Sequence, residues 1–217
     1  WIAERWLASR IDKYKYVIVP DFEENSLSGR LSHKLKYVKK EKIKYIGILS
    51  QLKKKNLKKD IDFFIPISGP EPQRTILEEK IIQMLPKLKG KILVTLGKPE
   101  SKNISSSKNI TVCGFLHSKK QEEIMNRAKF IICRSGYTTI MELAELDKKN
   151  VLMIPTPGQT EQEYLADFYE KNKYFHHVHQ KDIDLIKDIK DAEGFNGLNC
   201  QWKTKKSVDN FLKTIKD

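Results

Sequence analysis

Residues 130–142 read FIICRSGYTTIME and residues 151–163 read VLMIPTPGQTEQE, and these two stretches decide the fold of the chain. Each begins with an apolar run rich in β-branched residues and continues through small and polar residues into a helical pattern. Strands that each lead into a helix are typical of a parallel sheet. Ligands of such sheets collect outside the carboxyl ends of the strands, where helix N-termini favour phosphate. The two polar loops are therefore the first candidates for a binding site.

The same alternation extends over most of the chain after residue 60. Strands are predicted at residues 63–67, 92–96, 110–113, 130–133 and 151–154, with a weak strand at 175–179. Helices are predicted at residues 74–85, 120–128, 139–146, 161–172 and 183–192. This order predicts an α/β fold with a Rossmann-like, mainly parallel sheet flanked by helices.

The two ends of the chain differ from this pattern. Residues 1–50 show a helix and two short strands, at 16–20 and 43–47, which have too few partners for a domain. We interpret them as the end of a preceding domain with its linker, and we expect the chain to be part of a longer protein because Trp1 already lies inside a helical pattern. Residues 51–198 are predicted to form the main domain.

Residues 199–217 are predicted to contain a terminal helix. Val208, Phe211, Leu212 and Ile215 repeat on one stripe of it. Such a stripe needs a partner surface.

Composition excludes several classes of protein. The chain has 217 residues, 39% of them hydrophobic, which suffices for one core with a small appendage. No apolar run approaches the roughly 20 residues of a membrane span, so we expect a protein that is soluble or at most peripheral to a membrane. Cys113, Cys133 and Cys200 are odd in number and form no CxxC pair, which favours a reducing, cytoplasmic location.

The net charge of +13 comes mostly from lysines spread over turns and helix faces. A platform for single-stranded nucleic acid would interleave basic and aromatic residues, and this sequence does not. We interpret the charge first as a solvated surface and second as a face toward an anionic membrane. No nucleic-acid partner is expected.

Residues 68–75, SGPEPQRT, link the first strand of the main domain to its helix. Gly69 lets a backbone approach a ligand closely, and Pro72 suits a helix start. A pyrophosphate could lie beside Ser68 and Gly69, although a plain turn explains the sequence equally well.

The loop at Arg134, Ser135 and Gly136 is better placed for phosphate, because backbone N–H groups at a helix entrance and the hydroxyl of Ser135 or Thr138 can donate hydrogen bonds. Glu142 lies one turn further, where its carboxylate could accept both hydroxyls of a ribose. Alternatively, Thr139 and Glu142 form a capping box, which would make the glutamate structural.

Gln159, Glu161, Gln162 and Glu163 could bind sugar hydroxyls, or they could form an ordinary acidic helix N-terminus. Phe115 and Leu116 follow another predicted strand and could contact a nucleotide base. The alternative for Phe115 is a place in the core.

Other polar clusters are not predicted to be sites. Of the histidines at residues 176–179, only His177 and His179 would share a strand face, and no carboxylate or thiol is spaced to complete a metal site. No metal is predicted. The loop at residues 21–33 contains Asp21, Glu23, Glu24 and His33, and we interpret it as solvated surface. There is no Ser/His/Asp set.

Residues 134–142 (RSGYTTIME) and 155–166 (PTPGQTEQEYLA) together resemble the donor-binding half of the family 28 glycosyltransferases. This family includes the peptidoglycan N-acetylglucosaminyltransferases, which act on a lipid-linked acceptor. The resemblance covers residues 63–178. It implies a GT-B fold, of which the chain would be the C-terminal half with a remnant of the N-terminal acceptor domain in residues 1–50.

The resemblance also implies roles for individual residues. Glu142 would bind the ribose, and Ser135 and Gly136 would bind the phosphates. Ser68 and Gly69 would form the first glycine-containing loop. Phe115 and Leu116 would contact uracil, and Gln162 and Glu163 would recognise the sugar. The family often has paired glutamines in the last position. Here the pair is Gln162-Glu163, and the first loop reads Gly-Pro-Glu-Pro.

The reaction implied is an inverting, metal-independent transfer from a UDP-sugar to an acceptor hydroxyl, with a role in cell-envelope polysaccharide synthesis. Helix N-termini and Arg134 or Arg74 would stabilise the departing pyrophosphate. The acceptor site and the unidentified catalytic base would lie mainly in the N-terminal domain, so we expect little transfer by this chain alone. The terminal helix would pack back toward the N-terminal side and bury Phe211 and Leu212.

Three other functions stay open at this point. They are a UDP-sugar 2-epimerase of the same architecture, a noncatalytic nucleotide-sugar-binding subunit that needs a partner chain, and a basic nucleic-acid-binding module.

Overall fold

The computed structural model of the chain describes residues 2–11, 13–101 and 104–216. The chain divides into two compact units. Trp1–Ser50 and Cys200–Asp217 form one of them, called here the terminal unit, and Gln51–Asn199 form the other, called the sheet unit.

The strands are short and mostly parallel. Over the described residues they are β1 (Val17–Val19), β2 (Ile43–Tyr45), β3 (Ile61–Pro66), β4 (Ile92–Thr95), β5 (Ile104–Ser106), β6 (Ile110–Cys113), β7 (Ala128–Cys133), β8 (Val151–Met153) and β9 (His176–His177). β1 and β2 pair in parallel in the terminal unit. The sheet unit has the strand order β5-β6-β4-β3-β7-β8-β9, in which β5 alone among the described strands is antiparallel to its neighbour.

The α-helices occupy the positions between the strands. Over the described residues they are α1 (Ile2–Ile11), α2 (Gln73–Met84), α3 (Ser118–Arg127), α4 (Tyr137–Glu145), α5 (Thr160–Lys171), α6 (Leu185–Ala192) and α7 (Thr204–Thr214). The predicted α/β fold with a mainly parallel sheet is confirmed. No helix among the described residues is long and apolar enough to cross a membrane.

Strands β7 and β8 of the sheet unit are buried along almost their whole length, as parallel strands covered on both faces are. On one face, Ile65, Ile92 and Leu152 pack with Ile81 of α2 and Leu185 of α6 in a single apolar cluster. This explains why the strands appear in the sequence as continuous apolar runs rather than as alternating patterns. Their carboxyl ends therefore meet at one edge of a rigid sheet.

The loop at residues 21–33 corrects the interpretation as solvated surface. Asp21 is fully buried, and its carboxylate accepts hydrogen bonds from the backbone N–H groups of Phe22 at 2.7 Å, Leu27 at 2.8 Å and Ser28 at 3.0 Å. The Ser26 hydroxyl also donates to it, at 2.7 Å. Burial alone would raise the pKa of Asp21, but these hydrogen bonds outweigh it and lower the pKa. The loop is thus folded around one carboxylate, whereas Glu23 and Glu24 are exposed.

The end of the chain belongs to the terminal unit. The indole Nε1 of Trp202 donates to the carbonyl of Ile46 at 3.2 Å, and its ring lies edge-on to Phe22 at 4.9 Å. Position 47, beside the Trp202 ring, requires glycine. The φ angle of Gly47 is +93°, and a Cβ on this residue would lie 2.2 Å from the indole Nε1 of Trp202.

The stripe on α7 does not pack as predicted. Leu212 is 44% exposed and Phe211 is half-buried, whereas Ser207 is fully buried. The expected burial of Leu212 is therefore wrong, because the buried side of α7 is centred on its small polar residue.

Replacing Asp21 with Asn tests whether this carboxylate organises the terminal unit. The amide keeps only one oxygen, so its NH2 group takes the place of the other carboxylate oxygen and faces the donors there. We therefore expect unfolding to become easier by about 2–3 kcal/mol at pH 7. Because the pKa of Asp21 is lowered on folding, its contribution is present above the unfolded pKa of 3.8 and is lost as the pH falls through the folded value.

Urea unfolding followed by tryptophan fluorescence measures this effect selectively, since all three tryptophans of the chain, Trp1, Trp6 and Trp202, belong to the terminal unit. The control is Glu23→Gln, which changes an exposed carboxylate in the same loop. Equal urea midpoints for the two variants would show that Asp21 has no organising role.

Candidate functional site

A cavity of about 270 Å³ lies at the carboxyl ends of the central strands and is called here the central cavity. Of the predicted site residues, its lining includes Ser68 after β3, Phe115 and Leu116 after β6, and Arg134, Thr138 and Glu142 after β7. With Gly97, which follows β4, residues from four separate loops meet there because the parallel strands place their carboxyl ends side by side.

Glu142 lies in the wall of this cavity and does not cap a helix. α4 begins at Tyr137 with Gly136 as its N-cap residue, so Thr139 is already inside the helix and cannot serve as the N-cap of a capping box. Burial of the Glu142 carboxyl raises its pKa to about 7. The cavity therefore contains a carboxyl group that changes charge near neutral pH, which is typical of functional sites.

Phe115 stands at the cavity and not in the core. Its side chain is 48% exposed and lies edge-on to His117 at 5.7 Å. A large, half-exposed aromatic ring beside a cavity can cover the face of a planar ligand.

Several lining residues were not predicted from the sequence, among them Thr95, Gly97, Gln121, Met125 and Thr139. Gly97 has a recognisable signal, since it lies two residues after the end of the strand β4. Its φ is +64°, and a Cβ there would lie 2.8 Å from the carbonyl oxygen of Ile67. Gln121 and Met125 lie on α3, whose sequence resembles any amphipathic helix.

Arg134 is buried and acts mainly as a clamp between loops. Its guanidinium donates hydrogen bonds to the carbonyl oxygens of Ser68 (3.1 Å), Gln73 (3.2 Å), Ile154 (3.1 Å) and Pro155 (3.2 Å). Burial lowers its pKa to about 10. The predicted role as a direct phosphate ligand therefore needs revision, because four N–H donors of the guanidinium are already engaged with the backbone.

Arg74 is also engaged. Its guanidinium donates to the Glu78 carboxylate at 3.0 Å and to the Leu96 carbonyl at 3.0 Å, and it forms a second ion pair with Glu71. The two carboxylates partly offset the field of this cation at a departing pyrophosphate. Stabilisation of the pyrophosphate by Arg74 stays a prediction.

The entrance of α4 is fixed to the next loop along the sheet. Ser135 is fully buried, and its hydroxyl donates to the carbonyl of Gln162 at 2.8 Å. A Cβ on Gly136 would lie 3.9 Å from the amide nitrogen of the same Gln162. The hydroxyl of Ser135 thus holds the loop, and Gly136 leaves an open approach to the first turn of α4.

The residues predicted to bind a sugar are tied to one another. Gln162 accepts a hydrogen bond from the N–H of Thr156 at 3.0 Å and donates to the amide oxygen of Gln159, while Glu163 accepts from the N–H of Gly158 at 3.0 Å. Glu163 does not line the central cavity. It lines a second cavity, called here the side cavity, at the carboxyl ends of β8 and β9.

The histidines at residues 176–179 have carboxylate neighbours that sequence spacing did not reveal. A nitrogen of His176 and oxygens of Asp188 and Asp191 lie within 4.8 Å of one another, because α6 packs against β9. Asp188 also accepts a hydrogen bond from the N–H of Asp184 at 2.8 Å, and Asp191 pairs with Lys187 at 3.1 Å. Helix capping and ion pairing account for these carboxylates.

Residues 72–217 match the model of the family described as "Glycosyltransferase family 28 C-terminal domain". No curated protein matches the sequence.

Two solved structures are similar to the chain. One, described as the glycotransferase of kitacinnamycin, has a TM-score of 0.60 and 10% identity, with 96% of this chain and 56% of that chain covered. The other, Acinetobacter baumannii MurG, has a TM-score of 0.46 and 16% identity, with 71% and 46% covered. The first likeness shows a shared fold, that of the GT-B glycosyltransferases. The chain spans about half the length of these two proteins.

The raised pKa of Glu142 predicts how stability depends on pH. The folded state holds a proton on this group up to about pH 7, whereas the unfolded state releases it near 4.5. Stability therefore falls as the pH rises between these values. We expect Glu142→Gln to flatten that fall and to be more stable than the parent above pH 7, by on the order of 2 kcal/mol.

Thermal melts followed by far-ultraviolet circular dichroism at pH values from 5 to 8 measure the difference. Glu79→Gln, an exposed position on α2, is the control for loss of one negative charge. If the two variants show the same pH dependence, Glu142 is not the group responsible.

Proposed function

This chain belongs to glycosyltransferase family 28, whose C-terminal domain it contains, and from that premise we propose that it forms the donor-binding part of a UDP-sugar-dependent transferase. The donor would be a UDP-linked hexose or N-acetylhexosamine, and the acceptor a hydroxyl group. The observation that carries the proposal is the pairing of Glu142 and Phe115 on the walls of one cavity.

The two side chains suit the two halves of a nucleoside. The carboxylate of Glu142 can accept hydrogen bonds from both hydroxyls of a ribose, and hydrogen bonds to a charged acceptor are the stronger kind. The exposed ring of Phe115 can pack on a planar base, with Leu116 beside it. Because Glu142 is not needed as a helix cap, its burial in the cavity wall is best explained by a ligand.

The pyrophosphate would lie between the loops after β3 and β7. Gly69, with φ of +118°, and Gly136 present no side chains there, so the phosphates can approach the backbone and the N-termini of α2 and α4. Arg134 would act as a positioning residue, since it holds the carbonyls of both neighbouring loops. In this proposal the helix N-termini supply most of the charge stabilisation.

The reaction would be an inverting displacement that needs no metal. The acceptor oxygen forms a bond to the anomeric carbon on the face opposite UDP, the bond from that carbon to the phosphate oxygen breaks, and UDP leaves with the electron pair. The acceptor proton passes to a base that we place outside the central cavity, in the acceptor-binding part of the enzyme. Transfer by this chain alone would accordingly be weak or absent.

The acceptor is proposed to be lipid-linked or a saccharide, within cell-envelope polysaccharide synthesis on the cytoplasmic side of a membrane. The net charge of +13 supports peripheral association with anionic lipids. A nucleotide-sugar-binding subunit that needs a partner chain for activity would use the same cavity in the same way.

Titration calorimetry with UDP, UDP-N-acetylglucosamine and ADP tests the donor site. We expect UDP and its sugar derivative to bind at least about tenfold more tightly than ADP, and Glu142→Gln to weaken UDP binding about 10- to 100-fold, because charge-assisted hydrogen bonds of about 1.5–3 kcal/mol are lost. UDP affinity should also rise as the pH increases through about 7, since the ionised carboxylate is the better acceptor.

Glu79→Gln should bind UDP like the parent, and the melts described above establish that Glu142→Gln is folded. If folded protein binds no nucleotide, or if Glu142→Gln binds UDP as well as the parent does, the proposal is wrong.

A further inference from the structure

The side cavity shares no lining residue with the central cavity. Its volume is about 270 Å³, and it is lined by Pro155, Pro157, Glu163, His179, Gln180 and Lys181. These residues come from the loops after β8 and β9 and from the first turn of α5. Of these residues, the sequence predicted only Glu163 to contact the sugar.

One segment of α5 links the proposed phosphate position to the side cavity. A Cβ on Gly136, where the pyrophosphate would approach α4, would lie 3.9 Å from the side-chain amide of Gln162. The next residue of α5, Glu163, lines the side cavity. We take a group attached to the far phosphate to extend past this segment into the side cavity.

A buried amide in the wall of the side cavity has one unused acceptor. Gln180 is 3% exposed, and its Nε2 donates to the Oε1 of Gln73 at 2.9 Å. Among the described residues, nothing donates to its own Oε1. Buried polar atoms are nearly always hydrogen-bonded, and an exception calls for a ligand or a water molecule. A hydroxyl group in the side cavity would supply the donor.

Lysines outnumber acidic groups around the side cavity. Lys181 lines it together with His179, and the ammonium of Lys80 lies close by, donating to the backbone carbonyl of Lys181 at 3.0 Å. One acidic side chain, Glu163, is in the lining, and its carboxylate accepts the N–H of Gly158 at 3.0 Å. Pro155 and Pro157 add an apolar surface, against which the C–H groups of a sugar ring can pack.

We propose that the side cavity holds the transferred sugar and selects one that carries a carboxylate, a hexuronic acid. Lys181 and His179 face the carboxylate, Gln180 accepts from a ring hydroxyl, and the prolines contact the ring. This rests on the proposed donor site, and it specifies the class of sugar that the site takes.

Titration calorimetry at 25 °C and fixed salt with UDP, UDP-glucose and UDP-glucuronate tests the proposal, because the two sugar nucleotides differ only in the group at C6. We expect UDP-glucuronate to bind the parent at least about tenfold more tightly than UDP-glucose. Lys181→Gln should reduce this preference to less than about threefold while leaving the affinity for UDP unchanged. Lys190→Gln, an exposed lysine of α6 outside both cavities, should keep the full preference.

The outcomes separate the two proposals. If none of the three nucleotides binds, the donor site itself is overturned. If UDP and UDP-glucose bind but UDP-glucuronate binds no more tightly, only the selection of a hexuronic acid is overturned. An equal loss of preference in Lys190→Gln and Lys181→Gln would show that the effect is one of overall charge, and would also overturn it.

Discussion

The candidate site depends first on the buried guanidinium of Arg134. It donates to carbonyl oxygens in three segments: the loop after β3 (Ser68), the first turn of α2 (Gln73) and the strand end after β8 (Ile154 and Pro155). A buried cation without a carboxylate is costly, and the fall of its pKa to about 10 reflects that cost. The compensation comes from four carbonyl dipoles, and their positions are fixed in return. The loop after β3, the start of α2 and the end of β8 are thereby held together beside the central cavity.

Two further contacts extend these linked segments toward the side cavity. Gln73, whose carbonyl accepts from Arg134, uses its side chain to accept a hydrogen bond from Gln180. Ser135, the residue after Arg134, holds the carbonyl of Gln162. The loops after β3, β7, β8 and β9 are therefore joined through a few side chains that themselves offer little to a ligand. Because the loops are already ordered, a ligand that binds to the remaining polar groups loses less free energy to the ordering of loops.

The sheet was predictable because burial on both faces leaves a strong sequence signal. Strands β3, β4, β6, β7 and β8 appear as short, mostly apolar runs, and the predicted ends lie within two residues of those observed. β5 was not predicted, since it is a three-residue edge strand that includes two serines and pairs only with β6. Its sequence offers neither apolar content nor alternation, and edge strands need neither.

The sequence predicted where in the fold the site lies, but it did not predict the hydrogen-bond partners of the polar side chains there. Strand ends followed by glycine and polar residues located the loops, yet the sequence does not show which partner a polar side chain will choose. Arg134 was expected to face phosphate and instead holds carbonyls. Asp21 was expected at the surface and instead accepts donors that lie up to eleven residues away in its own loop. All the partners of Arg134 and three of those of Asp21 are backbone groups, which every sequence contains and no side-chain motif records.

The proposed recognition of the sugar depends on which polar groups the fold leaves without a partner. Gln162 and Glu163 were predicted from the sequence to bind the sugar. Their side-chain oxygens accept hydrogen bonds from the N–H groups of Thr156 and Gly158, and these bonds fix the shape of the loop. Gln180 differs from them, because its side-chain Nε2 donates a hydrogen bond to Gln73 while its Oε1 accepts none among the described residues. A ligand gains most from groups that the protein has positioned but left unsatisfied, since pairing them removes a cost that the folded state already carries. Discrimination among sugars should therefore reside in the loop after β9 more than in the glutamine-containing loop after β8.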